Sequence, residues 1–353
     1  MEIVYVHLGS SKVNYLIPAI SRSLSIYPFA KHTLIVDNSN FVAPKGTEIN
    51  LVLNKRSELE TKFPGRNVDQ RFRMGYWNLT LERIFAVLNY QIENDLKQIL
   101  HVESDVILME TFPFATLEQC GYAHWCEYGP GHDVASLLHI PDSESANQIK
   151  GKMIEVLSQN QNLTDMQLLN LIRNEESNVR LFPSFPGKDC IKQTKNSEIY
   201  CDCGPPNFIY DGLTYGMYLS GQDPRNNYGR YSIGDNSPFE SGATYINPKS
   251  FSWFFDEHGK LNAKCSCCNT AVQLQNLHVH SKNMQLFSGN WKAALERLVF
   301  IANKHERVDF FDSRVLFEML INSFRNENLG KFLTNSPPIA GIKRNILRFV
   351  KVK

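Results

Sequence analysis

Short apolar runs and longer stretches of helix-spaced apolar residues alternate along the first hundred positions. Ile3–Val6 is a compact apolar run that stops at the small-residue turn His7-Leu8-Gly9-Ser10-Ser11. Val13–Leu24 then places apolar residues at near-helical intervals. Thr33–Val36 reads as a second strand ending at Asp37-Asn38, and Leu51–Leu53 as a third. Strand, turn, helix, strand is the opening of a parallel α/β sheet. Ligands gather beyond the carboxyl ends of such strands, so His7, Gly9, Ser10 and Asp37 are candidate nucleotide-pocket residues.

The pattern continues through the middle of the chain. Tyr76–Asn89 predicts a helix with Trp77, Leu81, Ile84, Phe85 and Leu88 on its apolar side, feeding the apolar run Ile99–Leu108. Gly121–Cys126 is a further strand, and Lys152–Ile172 reads as two helical pieces broken at Asn160-Gln161-Asn162. Asn207–Asn227, rich in Gly, Tyr and Asp, is expected to line a site. Leu261–Lys264 and Thr270–Val279 predict a hairpin around Cys265-Ser266-Cys267-Cys268. From Trp291 onward the pattern is mostly helical until Pro337-Pro338. No repeat, heptad or flexible linker divides the chain. The expected organisation is a catalytic domain over 1–290, with halves at about 1–110 and 111–290, and a helical extension over 291–353.

Composition narrows the function class. The 353 residues are 42% hydrophobic and 11% aromatic, enough for a large core, and the formal charge of +1 argues against a nucleic-acid binder. That charge is uneven: residues 342–353 hold five Lys/Arg and no acid. Mixed with bulky apolar residues, they form a tail suited to peripheral contact with an anionic membrane, or to a terminal segment docked on the core. No apolar run approaches the roughly 20 residues of a membrane span. Met1–Val6 has no basic leader, so the expected location is cytoplasmic. Eight cysteines in a chain of this size favour a reducing compartment. Cys201-Asp202-Cys203 and Cys265-Ser266-Cys267-Cys268 could jointly hold zinc, but C-x-C and C-x-C-C depart from knuckle spacing, and free thiols are the preferred reading.

Two carboxylates, Glu103 and Asp105, interrupt the run Ile99–Leu108. On an extended backbone they point to the same side, and two like charges among packed apolar residues call for a cation. A hard divalent ion, Mg²⁺ or Mn²⁺, bound to a diphosphate meets that need. Late in the chain, Asn276–Lys282 reads as a strand end with Leu277 and Val279 on one side and His278 and His280 on the other. An imidazole, His280 with His278 nearby, would complete the metal shell and suits Mn²⁺, and Lys282 would meet the diphosphate as a point charge. Asp211 could serve as a general base or cap the following helical turn, its neighbouring glycines letting backbone approach a sugar. Asp165 opens a helix and could be catalytic or a cap.

These stretches resemble the GT-A-type glycosyltransferases, of the bacterial and viral nucleotide-sugar group with a D-x-D-like strand end and a late H-x-H-S-K. The matching segments are Tyr76–Arg83, Leu100–Val106, Asp165–Leu169, Asp211–Asn226 and Asn276–Asn283, in the expected order over about residues 1–290. The resemblance implies a Rossmann-like, mostly parallel sheet with flanking helices. It implies a UDP- or GDP-sugar donor, a glycan or glycolipid acceptor, and metal ligation by Asp105 and a late histidine. Glu103 replaces the usual first aspartate, which makes Asp105 the stronger ligand. Arg83 would reach the donor. The competing reading is a non-catalytic nucleotide- or glycan-binding protein on the same fold, with a zinc-binding cysteine cluster.

Overall fold

The computed structural model describes residues 1–9, 15–37, 41–51, 58–66, 68, 75–186, 207–221, 232–233, 247–282, 284 and 308–309. Ser10, Cys201–Cys203, Gln222–Asn227, residues 291–307 and 310–341 and the tail 342–353 lie outside them; Val308–Asp309, expected to be helical, form a short strand. Two compact units divide the chain, Met1–Arg307 and Val308–Lys353. Among the described residues no helix is long and apolar enough to cross a membrane.

The first unit is α/β. It opens with β1 (Glu2–His7), α1 (Leu16–Ile26), β2 (Lys31–Val36), β3 (Thr47–Leu51), α2 (Glu58–Lys62) and α3 (Tyr76–Glu93). Then come β4 (Ile99–Val102), β5 (Val106–Leu108), α4 (Phe114–Leu117), β6 (Ala123–Gly129), β7 (His132–Ile140), α5 (Ser143–Gln159), α6 (Asp165–Glu175) and β8 (Val179–Leu181). The described remainder is β9 (Phe208–Ile209), α7 (Thr214–Ser220), β10 (Ser232–Ile233), β11 (Phe251–Phe255), β12 (Leu261–Cys265), β13 (Ala271–Leu274) and β14 (Asn276–His278).

Seven strands form the central sheet in the order β3-β2-β1-β4-β7-β6-β8. Every neighbouring pair is parallel except the two that involve β7. The α3, α5 and α6 helices cover one face. Leu81, Ile84, Phe85 and Leu88 of α3 pack with Val4, Val6, Ile35, Trp125 and Leu138 from the strands. Burying each such side chain contributes about 1.5–3 kcal/mol. Strand alternation turns His32 to the opposite face, where its Nε2 lies 2.9 Å from Ser23 Oγ of α1. A second, four-stranded sheet, β11-β12-β13-β9, and the pair β5–β14 complete the unit.

The apolar run Ile99–Leu108 is not one strand. Its backbone leaves the central sheet at Val102, turns through Glu103-Ser104-Asp105 with Val106 N–H donating to Glu103 O at 3.0 Å, and re-enters a different sheet as β5. Hydrophobicity is continuous across the turn because both strands are buried. Two further boundaries differ from the sequence pattern. The third strand is the polar-alternating edge segment Thr47–Leu51 rather than 51–53, and β7, buried along nearly its whole length, carries no period-2 signal. The break between α5 and α6 falls at the expected asparagines.

Candidate metal and nucleotide site

The site is assembled by strand register. β1 and β4 run parallel, with Glu2 opposite Ile99 and Val4 opposite His101. Their carboxyl ends therefore deliver His7 and Glu103 to the same sheet edge. On the other side of Asp105, β14 pairs antiparallel with β5, placing His278 opposite Val106. Val279 N–H donates to Asp105 O at 2.8 Å and fastens the two segments. Backbone pairing thus brings a residue 173 positions away beside Asp105, with His278 Nε2 at 3.0 Å from Asp105 Oδ2.

Glu103, Asp105 and His278 each present one donor atom, and the three atoms lie within 4.8 Å of one another. His278 Nε2 is 3.7 Å from Glu103 Oε2. Its other nitrogen, Nδ1, is 2.7 Å from the carbonyl oxygen of Gly212. A carbonyl only accepts, so Nδ1 carries the proton and Nε2 faces the carboxylates. In a neutral ring that leaves a lone pair aimed at two anions, an arrangement that a bound cation resolves. An octahedral ion with ligands at about 2.1 Å places adjacent ligands about 3 Å apart, the spacing observed between His278 and Asp105. Two carboxylate oxygens and one imidazole fit Mn²⁺ or Mg²⁺.

Basic side chains balance the acids. Arg83, on α3, donates from Nη2 to Glu103 Oε1 at 2.5 Å. Burial alone would raise the Glu103 pKa, but the charges of Arg83 foremost and of Lys282 help hold the group well below the usual carboxylate range. Lys282 Nζ contacts Asp105 Oδ2 directly. The lysine sits in a left-handed backbone conformation, φ 60°, closing a turn in which its N–H donates to Val279 O at 2.8 Å.

Asp211 occupies a different position from a solvent-facing base. It is 0% exposed, and three backbone amides take up its oxygens: Tyr215 N at 2.9 Å, Gly216 N at 2.8 Å and His278 N at 2.8 Å. It caps α7 and grips β14 at once. Burial raises its pKa to about 6 despite the nearby imidazole and these hydrogen bonds. Asn276 doubles the clamp, accepting from Asp211 N at 3.0 Å and donating to Asp211 O at 2.8 Å. The adjacent glycines admit protein backbone. A methyl group at Gly212 would lie 2.7 Å from Glu127 O, and one at Gly216 would lie 2.6 Å from the His278 carbonyl carbon. This indirect support of His278 is what reading the sequence missed; the spacing of Gly212 and Gly216 around a buried aspartate was its only trace.

Asp165 is the first residue of α6, and the cap is its neighbour. Thr164 Oγ1 accepts from Gln167 N at 3.3 Å while Gln167 Oε1 accepts from Thr164 N at 3.0 Å. Asp165 is buried, its Oδ1 makes no hydrogen bond within the described structure, and burial raises its pKa to about 6 in the combined field of Arg83 and Glu103. At the ends of β1 and β2, Gly9 N donates to Asp37 Oδ2 at 2.7 Å, and the His7 ring packs on Phe41 with centroids 5.4 Å apart. The His280 ring stands off, half-buried, 6.1 Å from that of His278, and its donor atoms fall outside the cluster of three. Cys120 is disulfide-bonded, which departs from the expectation of a reducing compartment, whereas Cys126, Cys265, Cys267 and Cys268 form no disulfide.

No protein-family model matches the chain, and no curated protein matches it significantly. Among solved structures it is similar to the galactosyltransferase LgtC in complex with donor and acceptor sugar analogues. Identity is 14% and the TM-score 0.36, over 52% of this chain and 73% of that one. It is also similar to the apo form of the glycosyltransferase GlyE of Streptococcus pneumoniae TIGR4, at 14% identity and a TM-score of 0.34, over 51% of this chain and 45% of that one. At such scores the chemistry is read from this chain's own residues.

Proposed function

We propose that the chain is a metal-dependent glycosyltransferase of the GT-A type. It moves a hexosyl or pentosyl group from a UDP- or GDP-sugar to a hydroxyl of a glycan or lipid-linked glycan. One observation carries this reading. Two carboxylates, an imidazole with its proton fixed on the far nitrogen, and a lysine converge beyond the end of β4, on the edge where α/β sheets bind ligands. A divalent ion held there supplies Lewis-acid neutralisation of the departing diphosphate.

The side chains divide the work. Asp105 and His278 are the principal ligands, with Glu103, pinned by Arg83, as the third donor. Lys282, in ion-pair contact with Asp105, would turn its charge to phosphate oxygens. His7, Gly9 and Asp37 shape the pocket for the nucleoside. Asp165, with an oxygen not engaged by described protein groups, is placed to accept from a sugar hydroxyl. Asp211 acts as a positioning residue through His278, because its oxygens are occupied by amides. Catalysis then comes from orientation and charge neutralisation.

Donor-hydrolysis assays with UDP- and GDP-sugars, with and without Mn²⁺, test the proposal. Turnover that requires the ion and vanishes in Asp105→Ala is the expected result. Tight nucleotide binding without turnover on any donor, unaffected by Asp105→Ala, would overturn it.

A further inference from the structure

A second group of metal-ligating atoms lies apart from this site, at the tip of the β12–β13 hairpin. The sulfurs of Cys265, Cys267 and Cys268 fall within 4.8 Å of one another, and Cys265 Sγ is 2.8 Å from Cys267 Sγ. We propose that these three thiolates bind one zinc ion, a structural centre that staples the hairpin.

Local backbone geometry gathers the sulfurs. Cys265 ends β12, and its N–H donates to Thr270 O at 2.9 Å to close the hairpin, while Ser266 N–H donates to Ser250 O at 2.8 Å. Asn269 adopts the left-handed conformation, φ 58°, and bends the chain back. Within the C-x-C-C string, Cys265 and Cys268 are themselves spaced C-x₂-C, so the turn holds a knuckle-like pair with a third cysteine inside it.

Three features separate this arrangement from ordinary packing. Cysteines outside disulfides are usually buried as small apolar residues, whereas here only Cys265 is buried, Cys268 is half-buried and Cys267 is exposed. The hairpin tip is thus anchored at one sulfur and open to solvent at another, which gives an ion a route in. A disulfide joins two sulfurs at about 2.05 Å, whereas three are gathered here. Tetrahedral zinc with Zn–S near 2.3 Å sets its sulfurs about 3.8 Å apart, inside the 4.8 Å limit of this group, and its binding would open the 2.8 Å Cys265–Cys267 contact. Thiolate donors select a thiophilic ion over the Mg²⁺ or Mn²⁺ suited to the first site. The centre also bears on the first site mechanically, since β13 runs through Gln275 directly into β14, which carries His278.

Zinc analysis of the full chain, grown with zinc and purified without chelator, tests the proposal independently of activity. One equivalent is expected, retained in Asp105→Ala and lost in the double variant C267S/C268S. X-ray absorption at the zinc edge of the unmutated protein, which needs no variant to fold, is expected to count three sulfur ligands. Absence of zinc, zinc retained by C267S/C268S, a shell with fewer than three sulfurs, or a Cys265–Cys267 disulfide found by mass spectrometry would each overturn it.

Discussion

Gly216 packs so closely on β14 that replacing it with alanine tests how His278 is held. The added methyl carbon would lie 2.6 Å from the His278 carbonyl carbon and 2.8 Å from Asp211 Oδ2. Carbon–carbon contact begins near about 3.5 Å, and the His278 carbonyl oxygen lies closer to the added methyl than its carbon does, so β14 must retreat by more than about 0.9 Å. The obstacle is backbone, which cannot rotate away as a side chain would. Metal–ligand distances tolerate only about 0.2 Å, so a retreat of that size moves His278 Nε2 out of register with Asp105. Two effects are expected for Gly216→Ala: a loss of about 1–3 kcal/mol from overpacking, and a fall in Mn²⁺ affinity of about 10–100-fold, as when a group orienting a ligand is removed. Urea denaturation reads the first and calorimetric titration the second. A Gly216→Ala protein that unfolds at the unmutated midpoint and binds Mn²⁺ with unmutated affinity would refute the reasoning.

Four further outcomes follow from the same geometry. Gly151 lies in the interior of α5 with open space around it, so Gly151→Ala is expected to stabilise by about 0.5–1 kcal/mol; a lower urea midpoint would contradict this. Lys282 competes with metal for Asp105, so Lys282→Met is expected to tighten Mn²⁺ binding without nucleotide yet weaken nucleoside-diphosphate binding; calorimetry showing both changes in one direction would count against the assignment. Thr164→Ala removes the cap of α6 and is expected to cost about 1 kcal/mol in denaturant titration; no change in midpoint would contradict the capping role. Burial, joined at His124 by the charge of its neighbour, holds His124 and His139 down to about 3 and about 4. Unfolded, both protonate near pH 6.5. The unfolded chain therefore binds more protons below that pH, and this contribution to stability is complete above about 6.5 and lost toward pH 4. Asp165 and Asp211, raised to about 6 by burial, oppose it by favouring the folded state as pH falls through 6. An H124Q/H139Q variant is expected to flatten the urea midpoint between pH 6.5 and 4; an unchanged slope would contradict the assignment.

Much of the first unit was legible because its physics is local. Ile3–Val6, Thr33–Val36 and Tyr76–Asn89 each bury one face or run, and the buried strands and helix stand where the pattern put them. Glu103 and Asp105 were visible because charge inside an apolar run is costly unless matched. Their setting was not. A tight turn between two buried strands leaves the same hydrophobic trace as one long strand, so the two carboxylates were assigned to an extended backbone when they project from a bend. The sequence pattern put His280 ahead of His278 as the ligand, whereas the donor atom that reaches the two carboxylates is that of His278. Register against Val106 and the carbonyl of Gly212 distinguish them, and both are long-range facts. Asp211 could be either base or cap until its three amide donors were located.

The central claim is that His278 Nε2 and the carboxylates of Asp105 and Glu103 form one metal site. Electron spin-echo measurements on Mn²⁺-loaded protein test it most directly, because they detect nitrogen bonded to the ion. Coupling to one imidazole nitrogen, lost in His278→Gln and kept in His280→Gln, is the expected result. Mn²⁺ with no nitrogen coupling, or with coupling that survives His278→Gln, would contradict it.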